Sequence, residues 1–124
     1  SWRIRSRNPI APPQYIGKNA RVVDSIVVSG CEIEGTVENS ILSHDVKIAE
    51  GAVVRNSIIY AGAEIEKNAV IDHAIIDENV KVGKGAKIGA EQKGSSLSIA
   101  VLGRDITVSD NTVVEAGKII DENV

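Results

Sequence analysis

The 124-residue sequence has no phenylalanine, no methionine, one tryptophan, two tyrosines and a single cysteine. A core without Phe or Met lacks both large flat fillers and flexible ones, so small and branched aliphatic side chains must fill it. One cysteine, Cys31, excludes an internal disulfide framework and a thiolate metal cluster, and it points to a reducing, cytoplasmic setting. No apolar run approaches the roughly 20 residues that a membrane span needs, and the N-terminus is too polar for a signal peptide. Neither sign of charge dominates: 14 Lys and Arg stand against 17 Asp and Glu, a formal net charge of -3. The two signs are interspersed, so neither nucleic acid nor a membrane is an expected partner.

What is present is overwhelmingly β-branched. The chain holds 18 Ile and 16 Val against 3 Leu, a composition suited to strands. Its 43% hydrophobic and 25% charged content is that of one ordinary globular domain.

The sequence also repeats. Asp24-Ser25-Ile26-Val27, Asn39-Ser40-Ile41-Leu42, Asn56-Ser57-Ile58-Ile59 and His73-Ala74-Ile75-Ile76 align, and the residues after them stay in register. Six positions beyond the small residue stand Cys31, Val46, Ala63 and Val80; eight beyond stand Ile33, Ile48, Ile65 and Val82; twelve beyond stand Val37, Ala52, Ala69 and Ala86. A fifth copy opens at Ala100-Val101-Leu102, after an insertion at about 91–98, and a sixth at Lys118-Ile119-Ile120.

Apolar residues come as alternating pairs such as Ala20/Val22, Ile26/Val28, Val46/Ile48 and Ala86/Ile88, separated by Gly, Asn, Asp, Glu and Lys. Alternation puts both members of a pair on one face of a strand, and the intervening residues suit corners that need a positive φ. Each hexad therefore reads as a short strand plus a corner, and three hexads close a triangular coil that stacks on the next. Helical spacing is not sustained anywhere in the chain. The predicted fold is all-β, a single-stranded parallel β-helix over residues 16–124. Its left-handed sense is implied by resemblance to hexapeptide-repeat proteins. Residues 1–15, with Trp2, three arginines and all three prolines, read as a linker or as a segment that docks on a neighbouring, missing domain.

Little in this sequence looks catalytic. His73 fills the corner slot of Asp24, Asn39 and Asn56, and His44 lies in the turn Ser43-His44-Asp45, beside a carboxylate that alternation turns the other way. Two histidines do not make a three-histidine zinc site, so no metal site is expected. Cys31 takes an apolar inward slot and reads as a core thiol rather than a nucleophile. Gly83-Lys84-Gly85 precedes no helix that would complete a phosphate nest, so it reads as a corner.

The N-terminal pattern Trp2-Arg3-Ile4, Arg7-Asn8-Pro9, Pro12-Pro13-Gln14-Tyr15-Ile16, followed by Ser29-Gly30-Cys31-Glu32-Ile33-Glu34-Gly35 and Ala74-Ile75-Ile76-Asp77, resembles the bacterial glucose-1-phosphate adenylyltransferase family. It is similar to the junction and C-terminal β-helix of those enzymes, which make ADP-glucose and pyrophosphate from ATP and glucose 1-phosphate in glycogen biosynthesis. The resemblance implies that ATP and Mg2+ belong to the missing N-terminal domain, that this chain holds no cofactor or catalytic residue, and that it is inactive alone. It also implies that the β-helix contacts its own catalytic domain and the other subunits of a homo- or hetero-tetramer, and shares in binding a small phosphorylated effector.

Where many relatives carry a basic pair, this chain has Asp72-His73, and where some carry lysine it has Glu78. The cations left as candidates for effector or anion binding are Arg104, Arg55 and Lys81. Three alternatives stand beside this reading: a hexapeptide-repeat acyltransferase, a free-standing binding β-helix, and the non-catalytic regulatory paralogue of the same enzyme.

Overall fold

A computed structural model of the chain describes residues 15–17, 20–90 and 99–124. The expected linker, apart from Tyr15, and the expected insertion at 91–98 lie outside the described residues. The chain folds as a left-handed parallel β-helix of about 5 turns, and the described residues contain strands and corners but no helix.

The strands are numbered in chain order and form three parallel sheets of six. The first sheet contains β1 (Tyr15–Ile16), β4 (Glu32–Ile33), β7 (Lys47–Ile48), β10 (Glu64–Ile65), β13 (Lys81–Val82) and β16 (Thr107–Val108). The second contains β2 (Arg21–Val23), β5 (Thr36–Glu38), β8 (Val53–Arg55), β11 (Val70–Asp72), β14 (Lys87–Gly89) and β17 (Val113–Val114). The third contains β3 (Ile26–Val27), β6 (Ile41–Leu42), β9 (Ile58–Ile59), β12 (Ala74–Ile76), β15 (Ala100–Leu102) and β18 (Ile119–Ile120). Each strand pairs with its equivalent one coil away, as in Ile33 on Ile48, Val54 on Ile71 and Ile59 on Ile76.

The core is a stack of identical slots. Ile33, Ile48, Ile65, Val82 and Val108 form the inner ladder of the first sheet, and all are buried. Small or medium residues, Ala52, Ala69 and Ala86 at one corner and Cys31, Val46, Ala63 and Val80 at another, fill the apices. This is the register expected from the aligned copies. The pair Ile26/Val28 is the exception: Ser25 and Val27 take the inward slots of the first coil, and Ile26 is 62% exposed. Alternation leaves two possible faces for each pair, and the packing of the neighbouring coil decides between them.

Corner chemistry sets the length of a coil. Two of the three corners in a regular coil use two turn residues, the second with positive φ, such as Glu50-Gly51 (φ 78° at Gly51) and His44-Asp45 (φ 59° at Asp45). The corner between the second and third sheets uses a single left-handed residue: Asp24, Asn39, Asn56 or His73, all with φ between 48° and 51°. That corner is one residue shorter, so a regular coil falls one short of three full hexads. In the first coil Gly35 tightens another corner, where a Cβ would collide with the Ala52 carbonyl oxygen.

Cys31 is fully buried and its thiol donates to the Ser43 carbonyl oxygen at 3.0 Å. Burial raises its pKa above the ordinary 9.0, with the Asp45 charge adding to the rise against opposing backbone hydrogen bonds. The folded state thus favours the neutral thiol. That contribution to stability is complete below the ordinary value and is lost as pH rises through the higher folded value. In thermal unfolding, Cys31→Val, which copies the residue at Val46 and Val80, is expected to lose less stability above pH 9 than the natural chain. Identical pH profiles would place the thiol in contact with water.

Candidate functional site

The short corner between the second and third sheets carries the most organised polar chemistry in the molecule. Along it runs a ladder of serines in the inward slot. The Ser25 hydroxyl donates to the Val23 carbonyl at 2.8 Å and accepts from the Ser40 amide at 3.1 Å. Ser40 repeats this with Glu38 and Ser57, and Ser57 with Arg55 and Ala74. Ser40 and Ser57 are each only 3% exposed, yet each hydroxyl is used both as donor and as acceptor, the condition under which burying it is tolerated.

Outside the serines lies a second ladder. Asn39 Nδ2 donates to Asn56 Oδ1 at 2.8 Å, and Asn56 Nδ2 donates to Asp72 Oδ1 at 3.3 Å. The ladder ends on His73, whose Nδ1 lies 2.6 Å from the same Asp72 oxygen. The Asp72 side chain is 6% exposed and that of His73 20%. A carboxylate can only accept, so Nδ1 carries the proton, and in the neutral ring Nε2 is the lone-pair nitrogen. Adjacent residues on a strand face opposite ways, but the left-handed turn at His73 (φ 51°) brings this pair together. The sequence puts His73 at a corner and marks Asp72-His73 only as a departure from a basic pair, without showing that the two side chains meet. The available signal was the coincidence of a corner slot with a preceding carboxylate.

The candidate cations fall on two different edges. Arg55 ends β8 at the short corner, where its Nε meets Glu38 at 3.2 Å; Glu38 also lies 3.8 Å from Arg21. Arg104 lies at the opposite edge of the third sheet, its Nε 3.8 Å from Glu78, and the Asp105 amide donates to the Glu78 carbonyl. Lys81, the first residue of β13, follows the Glu78 corner directly. Arg104 and Lys81 therefore flank one corner on neighbouring coils, and Arg55 is remote from both. These are exposed pairs of the kind worth at most about 1 kcal/mol. The first sheet offers no better cradle for an anion: its shallow groove of about 220 Å³ is lined by Glu32, Glu34, Glu64 and Glu66, with Lys47 as its one cation.

Among the described residues no group of three or more His, Cys, Asp or Glu side chains converges on a cation position. No helix of the described residues is long and apolar enough to cross a membrane.

Stacked hexads, inward β-branched ladders and Asx or Gly corners define a hexapeptide-repeat β-helix. The chain belongs to the family described as GlmU-like, C-terminal hexapeptide, whose model matches residues 13–108. It is 58% identical over 55 residues to glucose-1-phosphate adenylyltransferase of Geobacillus stearothermophilus, a match covering 44% of this chain and 14% of that protein. The enzyme of the same name from Clostridium botulinum (strain Eklund 17B / Type B) is 46% identical over 54 residues, again 44% of this chain and 14% of the relative. The match thus spans about one seventh of those relatives' length.

Among solved structures, a putative acetyltransferase from Desulfovibrio desulfuricans G20 superposes with a TM-score of 0.72 at 15% identity, over 86% of this chain and 25% of that one. The acetyltransferase domain of PglB from Neisseria gonorrhoeae FA1090, in complex with acetyl coenzyme A, gives 0.63 at 17%, over 94% and 53%. At such identities the likeness concerns the fold.

The serine ladder makes a testable claim. Ser57→Ala removes a buried hydroxyl that holds both the Arg55 carbonyl and the Ala74 amide, and denaturant unfolding is expected to show a loss of about 1–3 kcal/mol. An unchanged midpoint would mean that the ladder does not stabilise the coil register.

Proposed function

We propose that this chain is the regulatory and subunit-assembly β-helix of a glucose-1-phosphate adenylyltransferase of glycogen biosynthesis, acting in the cytoplasm. The observation that carries the reading is the 58% identity to one such enzyme over 55 residues, a level well above the 15% shared with a structural neighbour of the same shape. In this reading a separate nucleotide-binding domain holds ATP, Mg2+ and glucose 1-phosphate and makes ADP-glucose, and the β-helix positions that domain within a tetramer. A phosphorylated effector binds where Arg104 and Lys81 flank one corner, completed by cations of a neighbouring domain. Arg55, held by Glu38 at the other edge, contributes to a different surface. A catalytic and a non-catalytic regulatory subunit both accommodate these features.

A second reading rests on one observation, the Asp72–His73 pair. A histidine oriented through Nδ1 presents Nε2 as a general base, which is what an acyltransferase acting on a thioester requires.

One set of assays separates the two. Isolated exposed cations hold phosphate weakly, so calorimetry is expected to show sugar phosphates binding the chain no better than about 1 mM, or about -4 kcal/mol. The chain alone is expected to make no ADP-glucose from Mg2+, ATP and glucose 1-phosphate. Replacing the matching segment of the Geobacillus enzyme with this chain is expected to keep that enzyme assembled and active. Acetyl transfer from acetyl coenzyme A by the chain, abolished in His73→Ala, would overturn the regulatory reading in favour of the second. Micromolar effector binding to the chain alone, lost in Arg104→Ala, would overturn the shared site.

A further inference from the structure

The two ends of the prism differ. At the C-terminal end the inward residues Val108 and Val114 are buried, and Val124 pairs beside β16, its amide donating to the Thr107 carbonyl and its carbonyl accepting from the Ser109 amide. At the N-terminal end β1, β2 and β3 are the outermost strands of the three sheets. Their inward slots hold Ile16, Val22 and Val27, aligned with Ile33, Val37 and Leu42 of the next coil. Those three are fully buried, whereas Ile16 is 49% exposed and Ala20, Val22 and Val27 are only partly buried. A solenoid that ends on open apolar slots needs a cap.

We infer that residues 1–14 of this chain cap that end, with the Trp2 ring lying over Ile16, Val22 and Val27. The chain path favours this occupant. Tyr15 opens β1 just after the corner between the third and first sheets, which Ser29-Gly30 and His44-Asp45 make in later coils. The residues before it therefore enter at the rim of the open end. They number 14 and reach at most about 46 Å, against about 17 Å for a side of five strand residues, enough to cross the opening and return.

The composition of the segment favours it too. Pro9, Pro12 and Pro13 are the only prolines of the chain. Proline holds the chain extended and lacks a ladder donor, so it suits an outermost strand and no inner coil. Trp2 is the only tryptophan. A ring of that size has no place in a column of stacked coils, but it fits over the last one, where no further copy must match it. In an extended segment Trp2 and Ile4 share one face and Arg3 and Arg5 the other, so the apolar face meets the core while the cations stay in water. The inference stands apart from the adenylyltransferase reading, because the open end belongs to the β-helix whatever larger protein carries it.

Trp2 is the chain's one indole and reports its own surroundings. Solution NMR of the natural chain is expected to show Overhauser peaks from the Trp2 ring to methyl groups of Ile16, Val22 and Val27, and mixtures of labelled and unlabelled chains are expected to show them within one copy only. Trp2 fluorescence is expected to lie to the blue of the unfolded chain's and to be quenched several-fold less by acrylamide. Ile16→Asp is expected to abolish both differences with an unchanged far-ultraviolet circular dichroism spectrum, since the coils above keep their own core. Ile26→Asp, on the outer face of the same coil, is expected to leave Trp2 as it is. Peaks that arise between copies, or a Trp2 emission like that of the unfolded chain, would overturn the inference. So would a Trp2 signal that responds to Ile26→Asp and not to Ile16→Asp, which would put the ring on the outside of the third sheet. Should Ile16→Asp fail to fold, the Overhauser peaks of the natural chain decide alone.

Discussion

The structure depends on one constraint, the stacking of like upon like along the prism axis. Every inward slot of one coil rests on the same slot of the next, so a residue must fit a column as well as a site. Ile, Val, Leu and Ala fill the columns because a branched side chain of fixed shape packs on its own copy without searching for a rotamer. A ring of phenylalanine size in one coil would overfill a narrow triangle whose neighbours cannot move independently. The missing aromatics and methionines are therefore the compositional mark of the column constraint.

Apolar columns alone do not say how far each coil must advance. Parallel strands with alternating faces tolerate a slip of two residues with the same side chains still inward. The short corner removes that freedom. A single left-handed residue, an inward serine that both donates and accepts, and an asparagine bonded to the next asparagine can all be satisfied in one register. The corner stays polar through four coils and ends on the Asp72–His73 pair. At the other corners glycine in one coil accommodates an Asx side chain in the next, as Gly51 does with Asn68 and Gly62 with Asn79, where a Cβ would meet the side-chain oxygen.

Much of this was legible in the sequence, for a physical reason. A repeated structure repeats its sequence errors and signals alike, so aligning Ser40, Ser57 and Ala74 exposes the columns even though no single hexad is conclusive. The inward positions of Cys31, Val46, Ile65 and Ala86 follow from that alignment. Less legible was anything that depends on geometry between coils. Alternation pairs Ile26 with Val28 but does not say which of two apolar neighbours faces the core, and it is Val27 that packs there. Asp72 gave no sign of burial, because its slot holds Val23, Glu38 and Arg55 in other coils. Arg104 is a candidate through the family resemblance and Arg55 and Lys81 through their outward or corner slots, and only the fold shows that Arg104 and Lys81 flank one corner while Arg55 lies at another.

The central claim is that coils advance in a fixed register, with each residue of β8 lying beside its equivalent in β11. Solution NMR tests this directly through short contacts between backbone protons of paired strands. The account predicts cross-strand Overhauser peaks linking Val54 to Ile71 and Ile71 to Ile88, as parallel pairing requires. Peaks linking Val54 instead to residue 69 or 73, or an antiparallel pattern, would contradict it.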